Sequence, residues 1–338
     1  MAAGKNPGVS VIGGGAWGTA LANHVAGKGV PVLLWAHEKE VVEEVNGSHS
    51  NSLFLPGIKL DEKTAATGDL QNACSNRMIF FVVPSHVMET VIKGMTPHLT
   101  RDQIIVSCTK GIENRRLKLP SEIFDEMLSP ELSKNLACLS GPSFAREVAL
   151  GLPTAITAAS RSPESAAAVQ GVLSNAKMRV YTHDDLIGVE LGGAVKNVVA
   201  IAAGISDGLK LGHNARAAII TRGLAEMARL GRGMGAREDT FSGLSGIGDL
   251  ILTATGDLSR NRTVGLRLGA GEPLEKITGG MKAVAEGVLT SKAIFELARL
   301  KNIEMPVCGE VYLVCHAGKD PRAAVGDLMG RKLREEFY

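Results

Sequence analysis

The sequence predicts an α/β protein, in which a doubly wound, mostly parallel sheet precedes an all-α C-terminal domain. Between residue 9 and about residue 181, short apolar runs alternate with amphipathic stretches, the pattern of strand–helix–strand units. Beyond residue 184 the strand pattern disappears, and segments rich in alanine, leucine and glycine follow. The 338 residues also exceed the roughly 100–200 of a typical domain. We therefore predict two domains, residues 1–185 and residues 186–338.

Seven short apolar runs are predicted to form the sheet, because strands covered by helices on both faces are mostly apolar throughout. They are residues 9–12, 32–35, 78–83, 104–108, 136–139, 155–157 and 179–181. The helical segments predicted in the second domain are residues 184–204, 215–230, 284–300 and 322–328. Two stretches that contain glycine or proline, residues 51–60 and 110–119, predict irregular loops at the border of a ligand site.

Composition argues against several classes of function. The net charge is +2 and the basic residues are scattered, so the chain lacks an electrostatic surface for a nucleic acid or an anionic membrane. The five cysteines are odd in number and lack CxxC spacing, which disfavours a disulfide framework and a zinc site, and we expect no metal. The first apolar run stops at Gly13, too early for a signal-peptide core or a membrane span. We expect a soluble protein of the cytoplasm.

A glycine-rich turn joins the first strand to the first helix. Gly13, Gly15 and Gly18 form the pattern G-x-G-x-x-G between an apolar strand and an apolar helix. The first glycine permits the tight turn, the second lets a pyrophosphate approach the backbone, and the third lets the helix pack on the strand. The helix N-terminus favours the phosphate charge. The first domain is therefore predicted to be a Rossmann-like domain that binds NAD or NADP.

The end of the second strand leaves the choice between NAD and NADP open. Residues 35–39 read Trp-Ala-His-Glu-Lys, with no acid at the strand tip for a ribose 2′-hydroxyl and no arginine for a 2′-phosphate. His37 can hydrogen-bond to either group, although an exposed loop histidine often has no specific partner. Trp17 is expected beside the pyrophosphate turn, the alternative being a helix-surface aromatic residue.

A lysine inside an apolar helix is the main catalytic candidate. Lys196 and Asn197 lie in the otherwise apolar segment 188–200. Burial disfavours the ammonium form and moves a lysine pKa toward neutral pH, as proton transfer requires. The alternative is a lysine whose head reaches water, but its neighbours offer little polar surface. We favour the catalytic role.

Two further candidates directly follow predicted strands. Lys110 stands where ligands gather in doubly wound sheets, although a solvated loop lysine is an equal alternative on this segment alone. Gly141 and Ser143 lie between a strand and a helix, where backbone N–H groups and the hydroxyl suit an anion. An ordinary serine-capped turn explains the same residues.

The helical half adds a carboxylate and a basic segment. Asp249 is flanked by apolar residues, and Ser259, Arg260 and Asn261 follow it. Arginine suits a phosphate because its planar fork donates two charge-assisted hydrogen bonds, and asparagine adds a neutral donor. Taken singly, each residue is also explained by a helix cap or a surface ion pair. The case for a phosphate-binding role rests on these residues occurring together in one part of the chain.

Nine irregular motifs occur in order along nearly the whole chain. They are VIGGGAWGTALA (11–22), FVVPSH (81–86), CTKGIE (108–113), SGPSFAREVALGLPTA (140–155), IGVELGGAVKNVVAIAAGISDG (187–208), NARAAIITRGLAEM (214–227), GLSGIGDLILT (243–253), SRNR (259–262) and AVAEG (283–287). By these motifs the chain resembles the bacterial-type NAD(P)-dependent sn-glycerol-3-phosphate dehydrogenase family. Several long motifs in a fixed order are more specific than one glycine fingerprint.

The resemblance implies an enzyme that interconverts dihydroxyacetone phosphate and sn-glycerol 3-phosphate with NAD or NADP, and that supplies glycerol 3-phosphate for phospholipid synthesis. It implies that Lys196 donates and accepts the proton, in a catalytic group with Lys110 and Asp249. The residues implied to bind the substrate, with the phosphate on the arginine and the second-half asparagine, are Lys110, Gly141, Ser143, Lys196, Asp249, Ser259, Arg260 and Asn261. Those implied to bind the cofactor are Gly13, Gly15, Ala16, Trp17, Gly18, His37, Lys110, Ala145, Arg260, Val284 and Glu286.

One position departs from the family. Ala16 stands where the family often has serine, so a hydroxyl contact to the pyrophosphate is lost and weaker binding of the pyrophosphate is expected at this position.

Two other functions stay open on the sequence. A related dehydrogenase acting on a hydroxy acid such as a phosphogluconate or ketopantoate would share the layout, but SGPSFA, GDLILT and SRNR favour glycerol phosphate. A noncatalytic NADH-binding sensor would need a recognition module such as a basic helix-turn-helix, which the sequence does not offer. The apolar helices suit either a homodimer interface or a core, so a homodimer is a hypothesis.

Overall fold

The computed structural model describes residues 8–281 and 285–336. Within these ranges one sheet has the spatial order β3-β2-β1-β4-β5-β6-β7-β8, and all neighbours are parallel except the antiparallel β6–β7 pair. The strands are β1 (Val9–Ile12), β2 (Val32–Trp35), β3 (Thr64–Thr67), β4 (Met78–Phe81), β5 (Ile104–Ser107), β6 (Ala137–Ser140), β7 (Thr154–Ser160) and β8 (Met178–His183). The predicted doubly wound, mostly parallel sheet is confirmed.

Helices connect the strands and then form the remainder of the described chain. The first group is α1 (Ala16–Ala26), α2 (Lys39–Ser48), α3 (Leu70–Ala73), α4 (Met88–Met95), α5 (Pro120–Met127), α6 (Pro130–Ser133), α7 (Ala145–Ala149) and α8 (Pro163–Leu173). The second group is α9 (Leu186–Gly208), α10 (Gly212–Gly233), α11 (Asp249–Thr255), α12 (Arg260–Gly269), α13 (Leu274–Gly279), α14 (Glu286–Leu300), α15 (Pro306–His316) and α16 (Pro321–Met329). The predicted all-helical second part is confirmed.

The central strands are buried on both faces, as their mostly apolar sequences predicted. Val11 and Leu34 belong to one apolar core, whereas Ile79, Phe81 and Ile105 belong to another. Because successive side chains of a strand point to opposite faces, each strand contributes to both cores. The sheet is therefore a rigid middle layer whose carboxyl edge can carry a site.

Helix α9 organises the second part. Asp185 caps its N-terminus by accepting a hydrogen bond from Gly188 N at 2.9 Å, and the helix packs against α10, α11, α12 and α14. Among the described residues it is the one helix long and apolar enough to cross a membrane, and 89% of its most apolar window is buried inside the fold. Its apolar character is that of a core helix.

The sequence pattern missed some elements. Strand β3 was not predicted, because Thr64–Thr67 contains no large apolar residue and lies at the sheet edge. Helices α11, α12, α13 and α15 were also absent from the predicted helical segments. The predicted boundary at residue 185 lies between β8 and α9, and the division into two domains stays a prediction.

Candidate active site

The glycine turn after β1 forms an open anion cradle. Gly13 has φ +126°, and a Cβ there would overlap with the Val82 carbonyl oxygen. A Cβ on Gly18 would overlap with the Gly13 carbonyl, whereas a Cβ on Gly15 would meet nothing within 4 Å. Gly15 is the N-cap of α1 and makes no side-chain capping bond, so the first N–H groups of the helix are left for a ligand. This cradle fits the pyrophosphate of a dinucleotide.

Other predicted cofactor residues surround the turn. Trp17 lies beside the Cys108 thiol, which follows β5, and is half-buried against the core. Ala145 begins α7, which packs against α1, the helix that Ala16 begins. His37 is exposed just beyond β2, with its ring centroid 6.4 Å from that of Trp35. Val284 lies outside the described residues.

Two lysines share one buried carboxylate. Lys196 is 6% exposed, and its Nζ donates to the Asp249 carboxylate and to Thr253 Oγ1, the latter at 3.0 Å. Asp249 Oδ2 accepts from Lys110 Nζ at 2.7 Å, and the same Nζ lies 3.4 Å from the carbonyl oxygen of Gly141. The structure thus joins Lys110, Gly141, Lys196 and Asp249, which are far apart in sequence.

Burial and charge set the pKa values in this cluster. Burial lowers the pKa of Lys196 to about 7, and the positive charge of Lys110 acts in the same direction, while Asp249 partly opposes both. Burial raises the pKa of Asp249, but the charges of Lys110 and Lys196 outweigh it, so its net pKa lies below the ordinary aspartate value. Lys196 can therefore exchange a proton near neutral pH while Asp249 stays ionised.

The lysine cluster and the glycine turn lie at the same edge of the sheet. Thr109, next to Lys110, donates a hydrogen bond to the Val83 carbonyl at 2.8 Å, and Gly13 approaches the adjacent Val82. The carboxyl ends of β1, β4 and β5 therefore meet there, at the point where the strand order reverses. From the other side, a Cβ on Gly193 of α9 would lie 3.5 Å from Lys110 Cγ. A dinucleotide on the turn would face this cluster.

The predicted phosphate-binding residues differ in whether their side chains already have hydrogen-bond partners inside the protein. Arg260 is exposed and has no hydrogen-bond or ion-pair partner within residues 8–281 and 285–336. Asn261 donates to Asn197 Oδ1 and accepts from Gly287 N, both at 2.9 Å, so its amide is already bonded inside the protein. Ser259 caps α12 by accepting from Arg262 N at 3.2 Å.

Glu286 and Ser143 are also engaged in internal contacts. Glu286 accepts from Ser85 Oγ at 2.8 Å, and burial raises its pKa while the charge of Arg260 opposes that rise. Arg260 and Glu286 are therefore close enough to interact. Ser143 donates to the Gly141 carbonyl at 3.0 Å and leaves its two lone pairs available. The cap of α7 is Phe144 rather than Ser143, so the capped-turn alternative does not hold at this position.

Sequence reasoning missed three polar contacts of this region. Thr253 bonds to Lys196, and its position one helical turn after Asp249 was the available signal. Asn197 was noted beside Lys196 without a role, yet it binds Asn261. Ser85 binds Glu286 across 201 residues of sequence, a separation at which no local pattern could predict a contact.

The cradle for a dinucleotide lies where the strand order of a doubly wound sheet reverses, and it faces a buried lysine with a pKa near neutral. This arrangement defines a nicotinamide-dependent oxidoreductase. Family models for the N-terminus and the C-terminus of NAD-dependent glycerol-3-phosphate dehydrogenase match residues 8–166 and 185–326. The chain belongs to this family, whose members use NAD or NADP.

Similar proteins agree with this assignment. The chain is 53% identical over 331 residues to the glycerol-3-phosphate dehydrogenase [NAD(P)+] of Geobacter sp. (strain M21), covering 97% of this chain and 98% of that one. A crystal structure of glycerol-3-phosphate dehydrogenase from Coxiella burnetii superimposes with a TM-score of 0.91 at 41% identity, covering 96% and 98%. The Saccharomyces cerevisiae enzyme gives 0.80 at 27%, covering 96% and 99%. The hydroxy-acid dehydrogenase and sensor alternatives are not favoured.

Proposed function

We propose that this chain interconverts dihydroxyacetone phosphate and sn-glycerol 3-phosphate with NAD or NADP, and that Lys196 is its proton donor and acceptor. The observation that carries the proposal is the burial of Lys196, with a pKa of about 7, between Asp249 and Thr253. The bound nicotinamide supplies or takes up the hydride.

The charges of the lysine cluster match those of a carbonyl reduction. With Lys196 protonated, two ammonium groups face one carboxylate, so the cluster carries a net positive charge. Negative charge grows on the carbonyl oxygen during reduction, and a fixed cation stabilises this state more than the neutral ketone. Lys196 then transfers its proton to that oxygen, and in oxidation the neutral amine takes the proton back. Lys110 and Asp249 hold Lys196 in place and contact the substrate.

Arg260 is proposed as the main phosphate ligand. Within the described ranges its guanidinium makes no hydrogen bond or ion pair, although its charge acts on Glu286. Its planar fork suits two phosphate oxygens. Asn261, Ser259, Ser143 and Gly141 complete the proposed substrate site. Because Asn261 already bonds to Asn197 beside Lys196, a phosphate on this segment would be fixed relative to the catalytic amine. The proposed cofactor site comprises the glycine turn with Ala16, Trp17, His37, Lys110, Ala145, Arg260, Val284 and Glu286.

The cellular setting belongs to the same proposal. A cytoplasmic enzyme that supplies glycerol 3-phosphate for phospholipid synthesis agrees with the family and with a net charge of only +2. A homodimer is proposed because large apolar side chains of the helical part stay exposed, among them Leu258 at 49% and Leu266 at 39%.

Absorbance of the reduced nicotinamide tests the proposal directly. We expect oxidation of NADH or NADPH with dihydroxyacetone phosphate and far weaker turnover with unphosphorylated dihydroxyacetone. Arg260→Ala should raise the KM for the phosphorylated ketone at least about tenfold, because a lost charge-assisted pair is worth on the order of 1.5–3 kcal/mol. Arg222→Ala, an arginine of α10 outside this segment, is the control. An unchanged KM in Arg260→Ala would remove Arg260 from the phosphate site.

A further inference from the structure

A buried asparagine from the loop after α2 reaches the glycine turn. Asn51 is 1% exposed, and its Nδ2 donates to the Gly14 carbonyl and to Thr19 Oγ1, both at 2.8 Å. The Thr19 hydroxyl, also fully buried, donates in turn to the Gly14 carbonyl at 3.1 Å. The Gly14 oxygen therefore receives two hydrogen bonds from side chains, neither of which belongs to the G-x-G-x-x-G pattern.

These two bonds fix the orientation of the peptide between Gly14 and Gly15. In a planar trans peptide the C=O and the N–H point in opposite directions. Because the Gly14 carbonyl is held toward Asn51 and Thr19, the Gly15 N–H points away from those two side chains. The backbone of Gly15 also borders open space, since a Cβ on it would meet nothing within 4 Å. A glycine pair has little conformational preference of its own, so this orientation needs outside support.

We propose that Asn51, together with Thr19, is a positioning residue for the cofactor pyrophosphate, holding the Gly15 N–H toward the phosphate oxygens. The inference rests on the proposed function, since it requires the turn to bind NAD or NADP. It also assigns a role to the loop at 51–60, which the sequence predicted to lie at the border of a ligand site.

The hydrogen-bond inventory explains why asparagine occupies this position. Both Nδ2 protons are used, on Gly14 and Thr19, and Oδ1 accepts from Phe54 N at 3.2 Å. An aspartate would keep the bond from Phe54 but would present a second acceptor to the Gly14 oxygen. Asn51→Asp therefore removes the donor with almost no change in shape.

Calorimetric titration of the full-length protein measures the effect without relying on turnover. Asn51→Asp should weaken NADH and ADP-ribose binding about tenfold, the worth of roughly one hydrogen bond, because the pyrophosphate loses an oriented donor. Adenosine, which lacks the pyrophosphate, should bind as it does to the parent. The KM for NADH should rise by a similar factor while kcat at saturating NADH changes less than about twofold.

Two matched substitutions separate positioning from folding. Thr19→Val, nearly isosteric, should weaken NADH and ADP-ribose binding about threefold, and Thr19→Ser should restore it. Asn46→Asp changes an asparagine whose amide also bonds backbone on both sides, to Ala66 N at 2.8 Å and Ala66 O at 2.9 Å, but which does not contact the turn. It should leave NADH affinity unchanged.

The outcomes distinguish the inference from the function on which it rests. Unchanged ADP-ribose affinity in Asn51→Asp and Thr19→Val would overturn the inference, as would an equal loss for adenosine or an equal loss in Asn46→Asp. If Asn51→Asp does not fold, the Thr19 pair decides alone. A parent protein that binds neither NADH nor NADPH would instead overturn the proposed function, and the inference with it.

Discussion

Lys196 is buried among groups that work against one another. Burial and the neighbouring Lys110 disfavour its charge, while Asp249 favours it, and the balance leaves a pKa of about 7. A solvated lysine would have a pKa well above 7, and so would a lysine paired with a carboxylate that it did not share. Burial is the main cause of this lowered pKa and Lys110 adds to it, so the amine has the pKa that the proposed proton transfer in both directions requires.

Replacing Lys196 by methionine should abolish this chemistry while keeping the fold and the cofactor site. We expect turnover to fall by about 10²–10⁴, the usual contribution of a general acid–base group, with NADH affinity retained. In the parent, the reduction rate should decline as pH rises through about 7, because the ammonium is lost, and the oxidation rate should rise. Steady-state rates in both directions from pH 5.5 to 9 measure this, and the variant should lose both dependences.

Lys319→Met is the matched control for that substitution. Lys319 also contacts two carboxylates, Glu310 and Asp327, but lies outside the Asp249 cluster. It should keep parental rates and the parental pH profile. Near-normal turnover in Lys196→Met would exclude Lys196 as the proton donor.

The residues of the site could be proposed from sequence, but most of their contacts could not. The apolar neighbours of Lys196 correctly predicted its burial. Its partner Asp249 is 53 residues away, and the contact depends on how α9 and α11 pack. The same holds for Asn261, whose residue type suggested a phosphate ligand but whose amide is bonded to Asn197 and Gly287.

At the scale of elements, helices α9 and α12 pack through glycines. Gly204 and Gly208 of α9 face Gly265 and Gly269 of α12, and a Cβ on any of them would overlap with the backbone of the other helix. The chain has 40 glycines among 338 residues, more than the roughly 7% of average composition, and such close approach accounts for part of them. It also sets how Arg260 and the rest of the α12 N-terminus lie relative to α9.

Gly265→Ala should force the two helices apart. We expect a loss of about 1–3 kcal/mol in the free energy of unfolding, the usual cost of overpacking, and a higher KM for the phosphorylated substrate because Arg260 shifts. Urea unfolding and steady-state kinetics measure both effects.

Gly171→Ala in α8 is the comparison for that prediction. A Cβ there would meet nothing within 4 Å, so alanine should leave kinetics unchanged and stabilise by up to about 1 kcal/mol. Equal stability effects in the two variants would contradict the packing argument.

Long apolar elements were predictable, and short polar ones were not. Strands β1, β2, β4, β5 and β6 and helix α9 have mainly apolar sequences, so local pattern and final burial agree. Strand β3 has the sequence Thr-Ala-Ala-Thr and forms only by pairing with β2. Helix α12 begins with the polar residues Arg-Asn-Arg-Thr, which obscured its helical pattern.

On the scale of the whole molecule, a buried acid joins the sheet part to the helical part. Glu190 of α9 accepts from Ser121 N at 2.9 Å and from Ser121 Oγ at 2.5 Å, at the start of α5. Burial raises the pKa of Glu190 to about 8, although the bonds from Ser121 oppose the rise. Near neutral pH this contact between the two parts is therefore made largely by a protonated acid.

This raised pKa predicts how stability depends on pH. Between about pH 4.5 and pH 8 the unfolded chain has released the Glu190 proton while the folded chain retains it. The unfolded state then binds fewer protons, so the free energy of unfolding falls as pH rises, by up to about 1.4 kcal/mol per pH unit. Glu190→Gln mimics the protonated acid and cannot titrate, so its advantage over the parent should grow from pH 5 to pH 8.

Urea unfolding of the parent and of Glu190→Gln, at intervals of one pH unit, measures the difference in their free energies of unfolding. The contributions of all other titrating groups cancel in that difference. Glu44→Gln is the control, because hydrogen bonds from Ser52, led by its backbone N–H, lower the pKa of Glu44. Its titration contributes only below about pH 4.5, so its difference from the parent should stay flat across the same window. A flat difference for Glu190→Gln as well would mean that Glu190 is ionised in the folded protein, held by Ser121 against the effect of burial.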